Sequence, residues 1–451
     1  MSRKGSWRAF RPRSAPTSLW GPPLERGLLQ RGFPGVPPCA VGAEEWGGSP
    51  LLTVDEALDR VLAAAEPLAV EEVPFREALG RALCRDIVAG EDLPPFDRSA
   101  MDGYAVRVAD GTAGAVLEVV GEVPAGRPGN VPVGSGQAVR IMTGAPIPPG
   151  ADAVQMVELT EALDGGRRVR LVRPVAEGEN IRRRGEDLRQ GTVVLCAGSP
   201  IRSTETALLA SLGIVHVPVR RAPRVALLST GDEIVEPERS PLSHQIRNSN
   251  AYAIETILRD LGLPSEYLGI AADSREALAG SIRRGLRSDM LCLTGGVSVG
   301  GYDLVAEALR GEGVEIIFHR VAVKPGKPLL VGRRERTLVF GLPGNPLSSV
   351  CDFALFAVPA LRKMLGWADP RHQEVAGILE GEVRQKPGRE WYCLARAVWR
   401  DGAYRVEPVP SMGSADIVAA CKANCFAVVP AETALLPAGS SVRLLLWGKG
   451  F

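Results

Sequence analysis

From residue 224 onward, short apolar runs alternate with amphipathic helical patterns, and few architectures accommodate that rhythm. Strand patterns at 224–229, 266–271 and 290–294 are followed by helix patterns at 250–261, 274–286 and 303–309. Such alternation calls for an α/β domain with a parallel sheet covered on both faces and ligand at the carboxyl ends of its strands. At one of those ends, strand 290–294 stops on Gly295-Gly296, and Gly300-Gly301 precedes an acidic helix start at Tyr302-Asp303. Glycines lack the Cβ that would keep backbone N–H groups away from phosphate oxygens, and a helix N-terminus adds positive potential. A plain tight turn is the other reading of the same glycines.

The segments on either side follow different rules. A helical stretch at 346–365 closes the α/β part, 367–371 reads as a linker, and short strands with turns from about 374 suggest a small β-barrel or sandwich. Upstream, Thr53-Val-Asp-Glu56 is a capping box, and Val54, Leu58, Val61, Leu62 and Ala65 share one face of the helix it starts. A second short helix is expected at 76–83. Strand patterns at 104–108, 116–121, 138–142, 153–158 and 168–173, separated by glycine and proline, read as an all-β domain inserted into a helical one that resumes at 203–212. The expected domains are a helical one from 51–90 plus 185–222, the β insert at 91–184, the α/β domain at 223–368 and the carboxy-terminal β-barrel at 369–451. Residues 1–50 hold eight prolines, eight glycines and no apolar periodicity; they read as a disordered tail, or as sequence upstream of the true start.

Composition removes several function classes. The net charge is +1 with basic residues scattered, which argues against a nucleic-acid binder. No apolar run approaches the roughly 18 residues of a membrane span. Eight cysteines without a C-x-x-C pair, and four isolated histidines, form neither a zinc set nor a disulfide framework, so a reducing cytoplasm is expected.

Carboxylates recur beside turn-forming sequence: Asp97 and Asp102 in the 94–104 stretch, Asp187 in Gly-Glu-Asp, Asp232 and Glu233 in Ser-Thr-Gly-Asp-Glu, and Asp303. Loop carboxylates at strand ends are a common way to hold Mg²⁺ beside a phosphate, although a lone Asp in a turn also serves as a cap. Lys324 and Lys327 stand in Lys-Pro-Gly-Lys-Pro, where two fixed ammonium groups repel unless an anion lies near. Arg182-Arg183-Arg184 is a second basic run, equally readable as a solvated turn, and Gly-Leu-Pro-Gly-Asn-Pro at 341–346 is a rigid loop before a helix. These residues alone indicate a Mg²⁺-dependent enzyme acting on a phosphorylated, strongly anionic small molecule.

Seven stretches in order, at 94–105, 140–146, 180–187, 228–233, 294–300, 324–328 and 341–346, closely resemble the MoeA family of molybdopterin molybdenumtransferases, over about 51–451. The resemblance implies an elongated four-part subunit that pairs into a homodimer, with an α/β part like the molybdopterin adenylyltransferases. It implies insertion of molybdenum from molybdate into adenylylated molybdopterin with release of AMP, in a cleft between the α/β domain of one subunit and the β insert of the other. Matched motif by motif, the catalytic positions are Asp102, Thr143, Asp187, Glu233, Asp273, Asp303, Lys324 and Ser414. Ligand contacts are expected from Gly295, Gly296, Ser298, Gly300, Arg320, Lys327, Pro343, Asn345 and Pro346, and Mg²⁺ ligation from Asp187, Glu233 and Asp303. Two positions depart from the pattern: Arg320 where a relative has lysine, and Asn248 where many members have aspartate. Implied partners are a molybdopterin adenylyltransferase and downstream cofactor-handling proteins. Adenylylation of molybdopterin, or a non-catalytic carrier or scaffold role, are the alternatives.

Overall fold

The sheet demanded by the alternation from residue 224 organises the computed structural model, which describes residues 51–296 and 304–447. Its strands lie in the order Ser265–Ala271, Val225–Thr230, Met290–Thr294, Thr337–Leu342, Leu330–Arg334 and Glu315–His319. The first four are parallel, and Leu330–Arg334 runs antiparallel to both of its neighbours. Period-two alternation sorts side chains between the faces: Met290 and Cys292 join one buried cluster, Leu291 and Leu293 the other. Helices Arg275–Gly285 and Leu304–Gly311 cover the second face through Leu278, Ile282, Val305 and Leu309. The first is covered by Asn250–Asp260 and by the long helical stretch after residue 345. That stretch is α-helical at Pro346–Asp352 and Val358–Met364 with a wider π turn, Phe353–Ala357, between them. Pro359, which has no N–H to donate, stands two residues after the wide turn.

Helix Val54–Ala64 has the expected capping box, with Glu56 N–H donating to Thr53 Oγ1 at 3.2 Å and Thr53 N–H donating to Glu56 Oε2 at 2.9 Å. It buries Val54, Ala57, Leu58 and Val61 in the same cluster as the sheet's first face. The helix expected at 76–83 is absent. A 3₁₀ turn, Phe75–Glu77, stands there instead, because Gly80 takes φ +78° and Ala78 and Leu83 are drawn into a separate small core. The outgoing and returning chain around the β insert run side by side in three antiparallel pairs: Val70–Pro74 with His216–Arg220, Ile87–Val88 with Val193–Leu195, and Arg98–Ser99 with Ile181–Arg182. One helix, Ser203–Ser211, accompanies them.

The inserted β region is a six-stranded sheet in the order Ala153–Met156, Gly103–Val106, Gln137–Ile141, Val116–Val123, Arg168–Leu171 and Thr160–Leu163. Tyr104 and Val106 face one core and Ala105 the other. The basic run at its exit resolves into ion pairs: Arg182 pairs locally with Asp187, while Arg183 with Asp97 and Arg184 with Asp92 tie the returning chain to the outgoing one.

The carboxy-terminal strands Val375–Leu379, Glu390–Arg400, Ala403–Pro408, Cys425–Val429 and Ser441–Leu446 close into a barrel, since Glu390–Arg400 pairs with both Ala403–Pro408 and Cys425–Val429. A two-residue strand of the α/β region, Val323–Lys324, adds to this barrel in parallel with Glu390–Trp391. Among the described residues no helix is long and apolar enough to cross a membrane.

Candidate functional site

Three parallel strands end together, after Thr230, Thr294 and Leu342, and a cleft of about 360 Å³ opens beyond them. Its walls include Ser229, Glu233, Asn248, Gly295, Gly296, Pro343, Asn345 and Pro346. The glycine pair is required by shape. Gly295 has φ +93° and Gly296 φ +68°, and a Cβ on Gly295 would lie 2.5 Å from the Thr230 carbonyl oxygen, while one on Gly296 would lie 2.7 Å from Thr230 Oγ1. Among the described residues, Thr230 Oγ1 is buried without a hydrogen-bond partner.

Asn248, 5% exposed, explains its own departure from the family pattern. Its amide donates to Ser229 Oγ at 3.0 Å and to Tyr267 OH at 2.8 Å, and Tyr267 OH donates in turn to Glu236 Oε1 at 2.9 Å. Tyr252 OH donates to the other Glu236 oxygen, Oε2, at 2.9 Å. Tyr267 has one proton, and Glu236 takes it, so the oxygen of Tyr267 needs a donor that an amide supplies and an ionised carboxylate cannot. Burial, with the Glu236 carboxylate next, pushes the Tyr252 hydroxyl up to about 12 and moves Tyr267 in the same direction.

A second cleft, about 1080 Å³, lies between the lysine loop and the barrel and shares Pro328, Pro343 and Asn345 with the first. Lys324, Lys327, Arg389 and Trp391 line it. Asn345 Nδ2 donates to Ser414 Oγ at 2.8 Å, and Leu347 N–H to Ser414 O at 3.1 Å, which binds the barrel's 411–414 loop to the Gly-Asn-Pro turn. Burial, reinforced by the Arg389 guanidinium, holds the Lys324 ammonium below the ordinary lysine value. Beneath the loop, a Cβ on Gly326, at φ +115°, would overlap the Asp352 carboxyl. Asp352 is fully buried with neither oxygen hydrogen-bonded among the described residues, and burial pushes its carboxyl well up, which favours the neutral form.

The acidic positions divide into groups. Asp273 N–H donates to Asp232 Oδ1 at 3.1 Å, and burial, then the charges of Asp232 and Glu233, raise the Asp273 carboxyl. Among the described residues, no three metal-ligating side chains are placed to hold an ion on their own. Asp102 accepts from the backbone N–H of Thr143 at 2.7 Å and from its hydroxyl at 2.8 Å, and those bonds hold it below the usual carboxylate range. Asp102 and Thr143 sit on the inserted β region, and Asp187 pairs with Arg182; none of the three lines either cleft. Arg320 also lies outside both linings, with φ +106°, a backbone conformation that side chains rarely adopt. Ser298, Gly300 and Asp303 lie outside the described residues.

Sequence reasoning overlooked Thr230, Arg389 and Trp391. A signal for the last two was present: Lys386-Pro-Gly-Arg389 repeats the pattern of Lys324-Pro-Gly-Lys327, and its last residue, Arg389, lines the larger cleft with the first run.

A two-faced α/β sheet with a polar cleft at its strand ends, fused to a barrel that walls a cationic cleft, defines a multidomain enzyme for anionic ligands. Family comparison sharpens that class. The model of the MoeA N-terminal region (domain I and II) matches residues 52–213, the probable molybdopterin binding domain 226–363, and the MoeA C-terminal region (domain IV) 376–447. The molybdopterin molybdenumtransferase of Bacillus subtilis is 34% identical over 404 residues, 88% of this chain and 94% of its own. That of Haemophilus influenzae is 36% identical over 402 residues, 87% and 98% of the two chains. A crystal structure of the molybdopterin biosynthesis moeA protein from Pyrococcus horikoshii OT3 superposes with a TM-score of 0.74 at 31% identity, covering 88% of this chain and all of that one. The chain belongs to the MoeA family, the molybdopterin molybdenumtransferases of molybdenum cofactor biosynthesis.

Proposed function

We propose that this chain transfers molybdenum from molybdate to adenylylated molybdopterin, cleaving the phosphoanhydride and releasing AMP. The observation that carries this reading is the junction of the two clefts at Pro328, Pro343 and Asn345. Substrate held at the strand ends would extend toward the lysine loop, where an oxyanion would sit. The Gly295-Gly296 backbone, held in a turn that only glycine fits, receives the phosphate part. Lys324 and Lys327, with Arg389, offset the charge of the molybdate dianion, and Asn345 orients the Ser414 hydroxyl.

The donor set suits Mg²⁺. Burial and the charges of Asp232 and Glu233 raise the cost of ionising Asp273, which a cation would relieve, and Mg²⁺ commonly takes only one or two carboxylates, with phosphate oxygens and water completing its shell. Glu233 and Asp273, with Asp303 from the glycine loop, are the groups that would hold it. When bound it would neutralise charge on the phosphoanhydride.

Asp102, Thr143 and Asp187 enter this reading from the second subunit of a homodimer. Support comes from exposed apolar side chains in the 94–104 stretch that carries Asp102, Phe96 at 45% and Met101 at 41%. A cytoplasmic setting, with exchange of substrate and product with an adenylyltransferase and cofactor-handling proteins, belongs to the same proposal.

The test is AMP release from adenylylated molybdopterin by the purified protein with Mg²⁺, with and without molybdate. The expected result is release that depends on the oxyanion. Tight substrate binding with no release under molybdate or tungstate would instead establish a carrier.

A further inference from the structure

Among the cationic groups of the larger cleft, Lys324 is partly withdrawn from water and has its resting partner defined by a strand register. Val323–Lys324 pairs in parallel with Glu390–Trp391, and Lys324 stands directly opposite Trp391. The ammonium lies 3.8 Å from the centroid of the indole, and both side chains line the cleft. Among the described residues no carboxylate pairs with Lys324; the charge beside it is the Arg389 guanidinium.

We propose that Trp391 is a positioning residue for the oxyanion subsite, its indole face holding the Lys324 ammonium at the cleft wall with the N–H donors left for the incoming dianion. The inference rests on Lys324 serving molybdate, as proposed above. A lysine side chain has a long flexible stem, and fixing it requires a partner. A carboxylate would fix it, but would occupy its donors and repel molybdate. An aromatic face attracts the cation through its quadrupole without carrying net charge, so the full positive charge remains available. The strand pairing keeps the ring in place: Glu390 N–H donates to Ala322 O at 2.8 Å, one residue before the short strand, and the neighbouring Tyr392 is anchored in the core with its hydroxyl on Glu390 Oε1 at 2.7 Å. On the other side of the loop, Gly326 packs onto Asp352, so the backbone carrying Lys324 is fixed from two directions.

The experiment titrates molybdate in the AMP-release assay with the full chain and its Trp391→Phe, Trp391→Leu and Lys324→Gln variants. Trp391→Leu is expected to raise the half-saturating molybdate concentration about fivefold to tenfold, with the rate at saturation within about twofold of the parent, and Trp391→Phe to stay within about threefold on both counts. An unchanged half-saturation in Trp391→Leu overturns the proposal. So does a Trp391→Phe variant as impaired as Trp391→Leu, since loss of packing alone would then account for both. If Lys324→Gln leaves half-saturation unchanged, the oxyanion reading itself fails, whatever Trp391 does. Fluorinated tryptophan keeps the ring's shape while draining its negative face, and covers the case in which Trp391→Leu does not fold. Half-saturation should rise with each added fluorine in the parent and stay level in the Trp391→Phe background; a level series in both overturns the proposal.

Discussion

The two clefts meet at the same three residues yet are made of opposite materials. The smaller is walled by backbone, hydroxyls and an amide, and its defining residues, Gly295 and Gly296, act by what they lack. The larger is walled by two lysines, an arginine and a tryptophan, and its residues act by charge and by the face of a ring. On the proposed function, one half of the site would select by shape and the other by electrostatics, so damage to the two halves should show up in different kinetic constants.

The largest effect should come from shape. Gly295→Ala places a methyl group against the Thr230 carbonyl, and a shift of the order of 1 Å is enough to cost about hundredfold. AMP release should fall by at least that factor, with substrate binding lost in a direct binding assay; retention of both would show that the glycine pair is only a turn. Next is charge. Lys324→Gln should raise the half-saturating molybdate concentration about tenfold to hundredfold while leaving affinity for adenylylated molybdopterin near that of the parent. Equal losses on both ligands would erase the division between the clefts.

The third test asks how the smaller wall is supported. Asn248→Asp removes the donor to Tyr267 and should cost about 1–3 kcal/mol of stability in denaturant melts. Adding Glu236→Gln, which frees the Tyr267 proton to bond the introduced carboxylate, should recover part of that loss, and no recovery would separate Asn248 from the tyrosine pair. The smallest effect on turnover is expected at Asp352. Burial raises its folded-state pKa above the unfolded value, so the folded protein retains a proton that the unfolded chain releases. Its contribution to stability is therefore greatest below the ordinary carboxylate value and declines as pH rises toward the folded value. Asp352→Asn should melt like the parent near pH 4 and be about 1–3 kcal/mol more stable near pH 8, with molybdate half-saturation unchanged. Equal stability at both pH values would mean that the carboxyl has a partner.

Legibility in the sequence followed the range of the interaction. The strands and helices from 224 to 309 were readable because burial on two faces writes itself into local periodicity, and the capping box at Thr53 because its partners are three residues apart. The helix expected at 76–83 fails because Ala78 and Leu83 answer to Leu209, Val217 and Val219, far along the chain. Arg182, Arg183 and Arg184 looked like one basic patch, yet each is matched to a separate aspartate, two of them more than 80 residues away. Lys324 was visible as half of a charged loop, whereas Trp391 was hidden because only a parallel register between distant segments sets it over the ammonium.

That register also bears on motion. The strand Val323–Lys324 belongs by sequence to the α/β region and by hydrogen bonding to the barrel. Tyr392, Leu394 and Phe426 of the barrel share a hydrophobic core with the sheet and with helix Val54–Ala64. The barrel therefore cannot serve as a swinging lid: opening it would strip a strand from its edge and split a common core. On the proposed reading, substrate would enter and product leave past a doorway framed by the barrel and the sheet together, not past a separate swinging part.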